Sequence, residues 1–291
     1  MNVNSFTLAS GGAGSSLNGN LTATGAIALN GSSTVAGNLT AGSIATTAPL
    51  TLIGNATASG AVSFGGTTGL TGNVQGATIA TTGPLTLVGN ATASGGVTFG
   101  GVTSVTGNVK GSAITANNTL ALNGSATASG AITANGAALL SGNLTGGSIA
   151  LNGATTLTGN TTLDTSAANG AISTASVDGT TAGGQSLGIN AGTGTVSLGD
   201  LGAATRLGAV SDASNTTLTG STYNANSFLF GGDVTLTSAD TTLNTTQSAS
   251  AAGDITFQGD LFGTTDAAQS LTLIAGPGTG AASANGNITL Q

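Results

Sequence analysis

The chain has 291 residues, of which 51 are glycine and only 4% are charged, and it contains no Cys, His, Trp or Glu. Its net charge of −7 comes from nine Asp set against Lys110 and Arg206, which excludes a basic surface able to neutralise a phosphate backbone, so no nucleic-acid partner is expected. An apolar content of 38% with mean hydropathy +0.32 excludes a solvated, disordered chain, and the lack of Cys excludes a disulfide framework.

The first twenty residues, MNVNSFTLASGGAGSSLNGN, have neither a basic start nor a continuous apolar core and do not read as a signal peptide. No stretch approaches the roughly 20 apolar residues of a membrane-spanning helix. Seven Phe and one Tyr are too few for the two aromatic girdles of a transmembrane barrel. The Met1 start and the end at Gln291, directly after the strand-like Asn287–Leu290, read as cuts through a longer repeat array.

From Ala45 a 35-residue unit is written twice: ATTAPLTLIGNATASGAVSFGGTTGLTGNVQGATI (45–79) is followed by ATTGPLTLVGNATASGGVTFGGVTSVTGNVKGSAI (80–114). Repetition on this scale points to a stack of units, each covering its neighbour's apolar face. Gly-Asn recurs at Gly19, Gly37, Gly54, Gly72, Gly89, Gly107, Gly142 and Gly159, with Gly124-Ser125 filling the missing slot, and the spacing through the repeats alternates between 18 and 17. Three apolar registers keep the same beat. One runs Ile27, Ile44, Val62, Ile79, Val97, Ile114, Ile132, Ile149. The second runs Leu17, Val35, Leu52, Leu70, Leu87, Val105, Leu122, Leu140, Leu157, and the third Leu21, Leu39, Ala56, Val74, Ala91, Val109, Ala126, Leu144, Thr161.

Three inward registers in each beat predict three sides per winding, and short alternations such as Leu50-Thr51-Leu52 give the period of two that a strand requires. The expected fold is all-β: a single-stranded parallel β-helix, with coils about 4.8 Å apart and like residues stacked on like. Gly supplies the positive-φ corners, and stacked Asn side chains are expected to bond to one another as a ladder. Phe64 and Phe99 share a unit position with Leu29 and Ala134, so smaller neighbours must compensate their volume. Pro49 and Pro84 are expected at corners just before strands, where a missing N–H is tolerated.

Residues 1–163 form the regular half. After 164 the coils are expected to lengthen, with loops that carry the Asp residues, all nine of which lie beyond residue 163. A second repeat is visible over 164–291. Ala171-Ile172, VDGTTAGGQSL (177–187) and NAGTG (190–194) are echoed 83 to 84 residues later by Asp254-Ile255, FGTTDAAQSL (262–271) and IAGPG (274–278), which suggests about four longer coils per unit. With no Pro-rich or charged linker between the halves, the chain reads as one solenoid with a change of coil length near 164.

The runs DGTTAGGQSL, NAGTGTVSL, GDITF and the repeated LTGN resemble the shaft repeats of large bacterial surface adhesins of the filamentous haemagglutinin type. That resemblance implies a right-handed winding, export by two-partner secretion or as an autotransporter passenger, and a secreted, cell-surface location. It also implies passage through an outer-membrane transporter, and a host or bacterial surface protein or glycan as partner, bound through other parts of a longer chain.

Candidate chemistry reduces to Asp pairs. Asp254, Asp260 and Asp266 are evenly spaced along the chain, with Asp233 and Asp240 nearby, and a pair facing across adjacent coils would serve as a glycosidase dyad or a Ca²⁺ site. The favoured reading is solvated loop charge, so no catalytic, cofactor-binding or metal-ligating residue is assigned and no enzymatic activity is expected. Thr57-Ala-Ser59 and its equivalents Thr22-Ala-Thr24, Thr92-Ala-Ser94 and Thr127-Ala-Ser129 recur on alternate coils only, which argues against a continuous ice-ordering rank. Asn-x-Thr sequons such as those at Asn20 and Asn55 follow from a composition rich in both residues.

The expected function is a structural stalk of a surface adhesin, spacing adhesive or effector elements. The alternatives are a carbohydrate-active β-helix using Asp residues of 233–266, and a self-assembling surface-layer or matrix protein associating through its coil ends.

Overall fold

The computed structural model describes residues 1–9, 14–246, 253–265, 268–276 and 286–291. It divides into two compact units, Met1–Gly136 and Ala137–Gln291. Each is built of short parallel strands stacked as a β-solenoid, and among the described residues there is no helix.

In the first unit every coil contributes three strands. Leu21–Ala23, Ala26–Leu29 and Ser33–Ala36 form one coil, and Leu39–Ala41, Ser43–Thr46 and Leu50–Ile53 the next; these strand positions define a first, second and third face. Pairing is parallel and holds the 18/17 alternation, as in Leu21↔Leu39, Leu39↔Ala56, Ala56↔Val74 and Val74↔Ala91. On the second face Ile27, Ile44, Val62 and Ile79 lie directly over one another and are at most 1% exposed. Burial alternates along each strand because successive side chains of a strand point to opposite sides. Each buried aliphatic side chain contributes about 1.5–3 kcal/mol of apolar transfer, so the columns are the main source of stability.

One column varies in volume: Leu29, Thr46, Phe64, Thr81, Phe99, Ala116. The small residues above and below each Phe make the room its ring needs. The same packing leaves the hydroxyls of Thr46 and Thr81 buried without a hydrogen-bond partner. Valine has the same shape and no hydroxyl to desolvate, so Thr81→Val is expected to raise unfolding stability by about 1 kcal/mol in denaturant melts. A loss instead would mean that the hydroxyl is satisfied in solution.

The corner before the first face carries the Gly-Asn pair. From Gly37 to Gly124 these glycines have φ between +139° and +151°, a region open in practice only to glycine. The Asn ladder is real, but its chemistry differs from the expectation. Each Asn Oδ1 accepts the backbone N–H of the Asn one coil on, at 2.8–2.9 Å, for Asn38 onto Asn20, Asn55 onto Asn38, Asn73 onto Asn55, Asn90 onto Asn73 and Asn108 onto Asn90. A direct side-chain bond is found between Asn90 Nδ2 and Asn73 Oδ1, at 3.2 Å. The backbone N–H wins because a corner donor left unpaired costs more than an exposed amide. This also explains why Ser125 is tolerated in the Asn slot: its N–H still donates to Asn108 Oδ1. Pro49 and Pro84 stand just before the strands Leu50–Ile53 and Leu85–Val88, and their carbonyls accept the N–H groups of Ser33 and Thr68.

The second unit keeps the three faces in order but not the coil length, and its strands Ser148–Leu157, Ile172–Gly179 and Val196–Leu201 each run through both the second and the third face. Its register steps run Ile149↔Ile172, Ile172↔Val196, Val196↔Thr216, Thr216↔Val234 and Val234↔Leu261. The coils are therefore longer than in the first unit, except those from Ala138 to Thr155 and from Thr216 to Val234. The extra residues enter at 165–171, close to the expected point. Leu144 pairs with Leu163, not with Thr161 as the third register had it, because the beat slips by two at the Gly159-Asn160 corner. Asn143 Oδ1 accordingly accepts from Thr162 N–H and not from Asn160.

The 83-to-84-residue echo does not return to the same face. Ile172 stacks between Ile149 and Val196, whereas Ile255 stacks on Phe228 in the column of Leu187 and Val210. The offset is thus a little under four coils, near the expected number, and the echo lands one face earlier. What the echo preserves is a loop. Gln185 Oε1 accepts the N–H groups of Thr180 and Thr181, and Gln269 Oε1 accepts that of Thr265. The part of the echo at Pro277–Gly278 lies outside the described residues. The core of this unit also holds aromatic rings, with Phe230 and Phe257 stacked one coil apart at 5.2 Å between centroids.

Candidate functional site

Four of the described acidic residues, Asp178, Asp200, Asp233 and Asp254, accept backbone N–H groups from the next coil, the work that Asn does in the first unit. Asp178 Oδ1 accepts the N–H groups of Ala204 and Thr205, and Asp200 Oδ1 those of Ser221 and Thr222, at 2.8–3.0 Å. Asp254 Oδ1 accepts from Asn287 N–H at 2.7 Å. Asn215, Asp233 and Asp260 form one corner ladder: Asp233 N–H donates to Asn215 Oδ1, and Asp260 N–H to Asp233 Oδ1, both at 3.0 Å. Asp240 accepts from Ser270 Oγ. Asp164 closes on Ser166, whose hydroxyl, and after it the N–H, holds its carboxyl below the usual carboxylate range.

Of the proposed set, only Asp233 and Asp260 stand in one column. Asp254 lies at the other end of the strand Ile255–Phe257 from Asp260, Asp240 lies on a different face, and Asp266 is outside the described residues. Among the described residues no group of three or more His, Cys, Asp or Glu is close enough to hold a metal ion.

One carboxylate escaped the sequence reading. Asp212 is 2% exposed and occupies an inward position on the column Ile189, Asp212, Phe230. Its Oδ1 accepts the N–H of Ser214 and its Oδ2 a short hydrogen bond from Thr216 Oγ1. Burial pushes its pKa up to about 6, against the lowering effect of the Thr216 and Ser214 hydrogen bonds. The signal was present: Asp212 falls one coil after Ile189, in an apolar register, and Ser214 and Thr216 follow at the spacing that closes the corner.

Both cations are placed. Arg206 reaches across two coils and donates from Nη1 to the carbonyls of Ala225 and Asn244 at 2.6 and 2.7 Å, and its partial burial lowers its pKa. Lys110 projects outward from the first face, beside an open trench of about 420 Å³ that Ser59, Gln75, Thr92 and Ser94 also line. Hydroxyls, one amide and one ammonium offer hydrogen bonding there, and among the described residues no carboxylate lines the trench to pair with the ammonium.

The outward column of that face reads Thr22, Thr40, Thr57, Gln75, Thr92, Lys110, Thr127, so Gln75 and Lys110 break the Thr rank. It also accounts for the sequons, since a ladder Asn followed two positions later by an outward Thr spells Asn-x-Thr. Among the described residues no helix is long and apolar enough to cross a membrane. Comparison with family models, with curated proteins and with solved structures finds no match.

Proposed function

We propose that the chain is part of the shaft of a secreted bacterial surface adhesin of the filamentous haemagglutinin type. In this reading it winds right-handed, leaves the cell through an outer-membrane transporter, and holds adhesive or effector elements of a longer chain away from the surface. Those elements, and not the coils, meet the host or bacterial protein or glycan. The observation that supports the reading is the unbroken 18/17 register of the first unit, in which every coil is joined to the next on three faces and again by the Asn ladder. Such a unit can be added or removed without altering the core its neighbours see, which is what a spacer of adjustable length requires.

Deleting 45–79, one complete two-coil unit, is the test. The full chain without it is expected to keep its β-sheet spectrum. The distance between fluorophores at positions 20 and 125 should shorten by about 10 Å, two coil spacings. Loss of folded structure, or an unchanged distance, would overturn the spacer reading. The alternative of a carbohydrate-active enzyme using Asp residues of 233–266 gains no support from the geometry of the described ones, because the carboxylates of Asp233 and Asp254 are engaged by backbone N–H groups.

A further inference from the structure

Asn-Gly occurs seven times in the chain, and one pair, Asn30-Gly31, sits at the corner between the second and third faces. In such a pair the glycine backbone nitrogen can attack the asparagine Cγ. The N–Cγ bond forms, the Cγ–Nδ2 bond breaks, and ammonia leaves with the proton of the peptide N–H. Water then opens the cyclic imide at either carbonyl, and an aspartate or an isoaspartate replaces the asparagine. Glycine favours the attack because no Cβ obstructs the turn it needs. The fold decides which pair reacts, since the peptide must be able to turn, its N–H must be free, and the amide nitrogen must be able to leave.

Asn30-Gly31 meets all three conditions. It falls between the strands Ala26–Leu29 and Ser33–Ala36. Among the described residues no carbonyl accepts the Gly31 N–H, and its equivalents on later coils, Ala48, Gly66, Gly83 and Gly101, donate to no backbone carbonyl either. The corner is pinned on both sides of the reacting peptide and not at it: Asn30 N–H donates to Leu8 O at 2.9 Å, and Ser33 Oγ to Gly31 O at 2.8 Å. Thr47 Oγ1 lies 3.3 Å from Asn30 Oδ1 and 3.5 Å from its main-chain carbonyl, both long, so neither the amide nor the peptide is held firmly. Other pairs are restrained. Gly19 N–H donates to Ala36 O at 2.7 Å from a positive-φ corner. Gly170 N–H donates to Thr165 O, and Asn169 Oδ1 accepts from Thr193 N–H at 2.9 Å. Asn135 Nδ2 donates to Asn117 Oδ1 at 3.1 Å. Asn152-Gly153 lies inside the strand Ser148–Leu157, and Gly124 has φ +151°. Asn285 is outside the described residues.

We propose that Asn30 is a self-modifying site, converted in the folded chain by its own neighbouring peptide to aspartate and isoaspartate. Each event adds one negative charge to residues 1–163, whose only charged side chain is Lys110. The isoaspartate form also lengthens the main chain by one carbon, at a corner and outside the paired strands. The site does not rest on the shaft reading and stands or falls separately from it.

Timed incubation of the full chain at mildly alkaline pH tests the proposal, read by mass-spectrometric peptide mapping and by methyl labelling with an isoaspartyl methyltransferase. Conversion at position 30 is expected to outrun that at positions 18, 123, 135, 152 and 169 by at least about tenfold, because each of those must first give up a hydrogen bond or a fixed backbone conformation. The rate should rise with pH, since the attacking nitrogen must lose its proton. In denaturant no contact distinguishes the pairs, and the rates should converge. Asn30→Gln, whose longer side chain closes a larger and slower-forming ring, should remove the fast conversion and its isoaspartyl label while leaving melting unchanged. A folded chain that reacts at position 30 no faster than at 18 or 169 would overturn the site. So would a ranking that persists in denaturant, or a fast label that survives Asn30→Gln.

Discussion

Replacing Gly89 by Ala is expected to remove at least about 3–5 kcal/mol of stability, more than a surface substitution in an ordinary strand. Gly89 has φ +147°, and a Cβ there would be driven into the carbonyl of Gly72 one coil below. The strain of the dihedral and the collision add, and neither relaxes by rotating a side chain because both sides of the clash are backbone. The stack offers no room either: Gly72 is itself held by its N–H to the carbonyl of Val88, and Gly89 by its N–H to that of Thr106. Stability in such a stack is passed between neighbours, so the break should also turn a single denaturant transition into two. Gly69→Ala is the matched control. Gly69 has open space and no positive φ, and less chain entropy is lost on folding, so its stability should be equal or slightly higher. Equal effects of the two substitutions would show that the corner conformation is not what fixes the coil.

Stability of the second unit is expected to fall as pH rises from about 4 to about 6, and to level off above that. Asp212 is the cause. Its folded pKa is raised to about 6 by burial, whereas an unfolded Asp titrates near about 3.9. Between those values the folded state keeps a proton that the unfolded state has released, so raising the pH favours unfolding. A difference of about two in pKa corresponds to about 3 kcal/mol. Asp164 acts in the opposite direction, since its carboxyl lies below the usual range and its contribution is lost towards acid, but solvent screens it and its effect is small. Asp212→Asn should flatten the profile between pH 4 and 6 and raise stability at pH 7. The amide oxygen still accepts from Ser214 N–H, and the Thr216 hydroxyl can turn to accept from the amide. A wild-type profile that rises over this range, or an Asn variant with the same slope, would place the ionisation elsewhere.

The difference between Gly89 and Asp212 marks how far the sequence could be read. The corner glycines, the Asn beside them and the three apolar registers of the first unit were legible because each is a local requirement repeated every coil, and the period of the requirement is the period of the fold. The slip at Gly159-Asn160 was not legible. Gly and Asn still occur there, and only the pairing of Leu144 with Leu163 shows that the beat has moved. Nor was the role of the acidic residues, because a carboxylate that caps a corner and one that is merely solvated look alike when the partner lies a whole coil further along the chain.

Sequence alone therefore determined the architecture: parallel coils, their length in the first half, and the inward identity of nearly every side chain there, since alternation and period are properties of the chain itself. Tertiary structure decided which face each long coil of the second half returns to, and hence that the 83-to-84-residue echo repeats a loop and not a layer. It also decided that Asp233 and Asp260 share a column while Asp254 does not, and that Asp212 is buried. These depend on how much chain each loop absorbs between strands, a quantity set by closure of the coil against its neighbour and by no pattern within the loop.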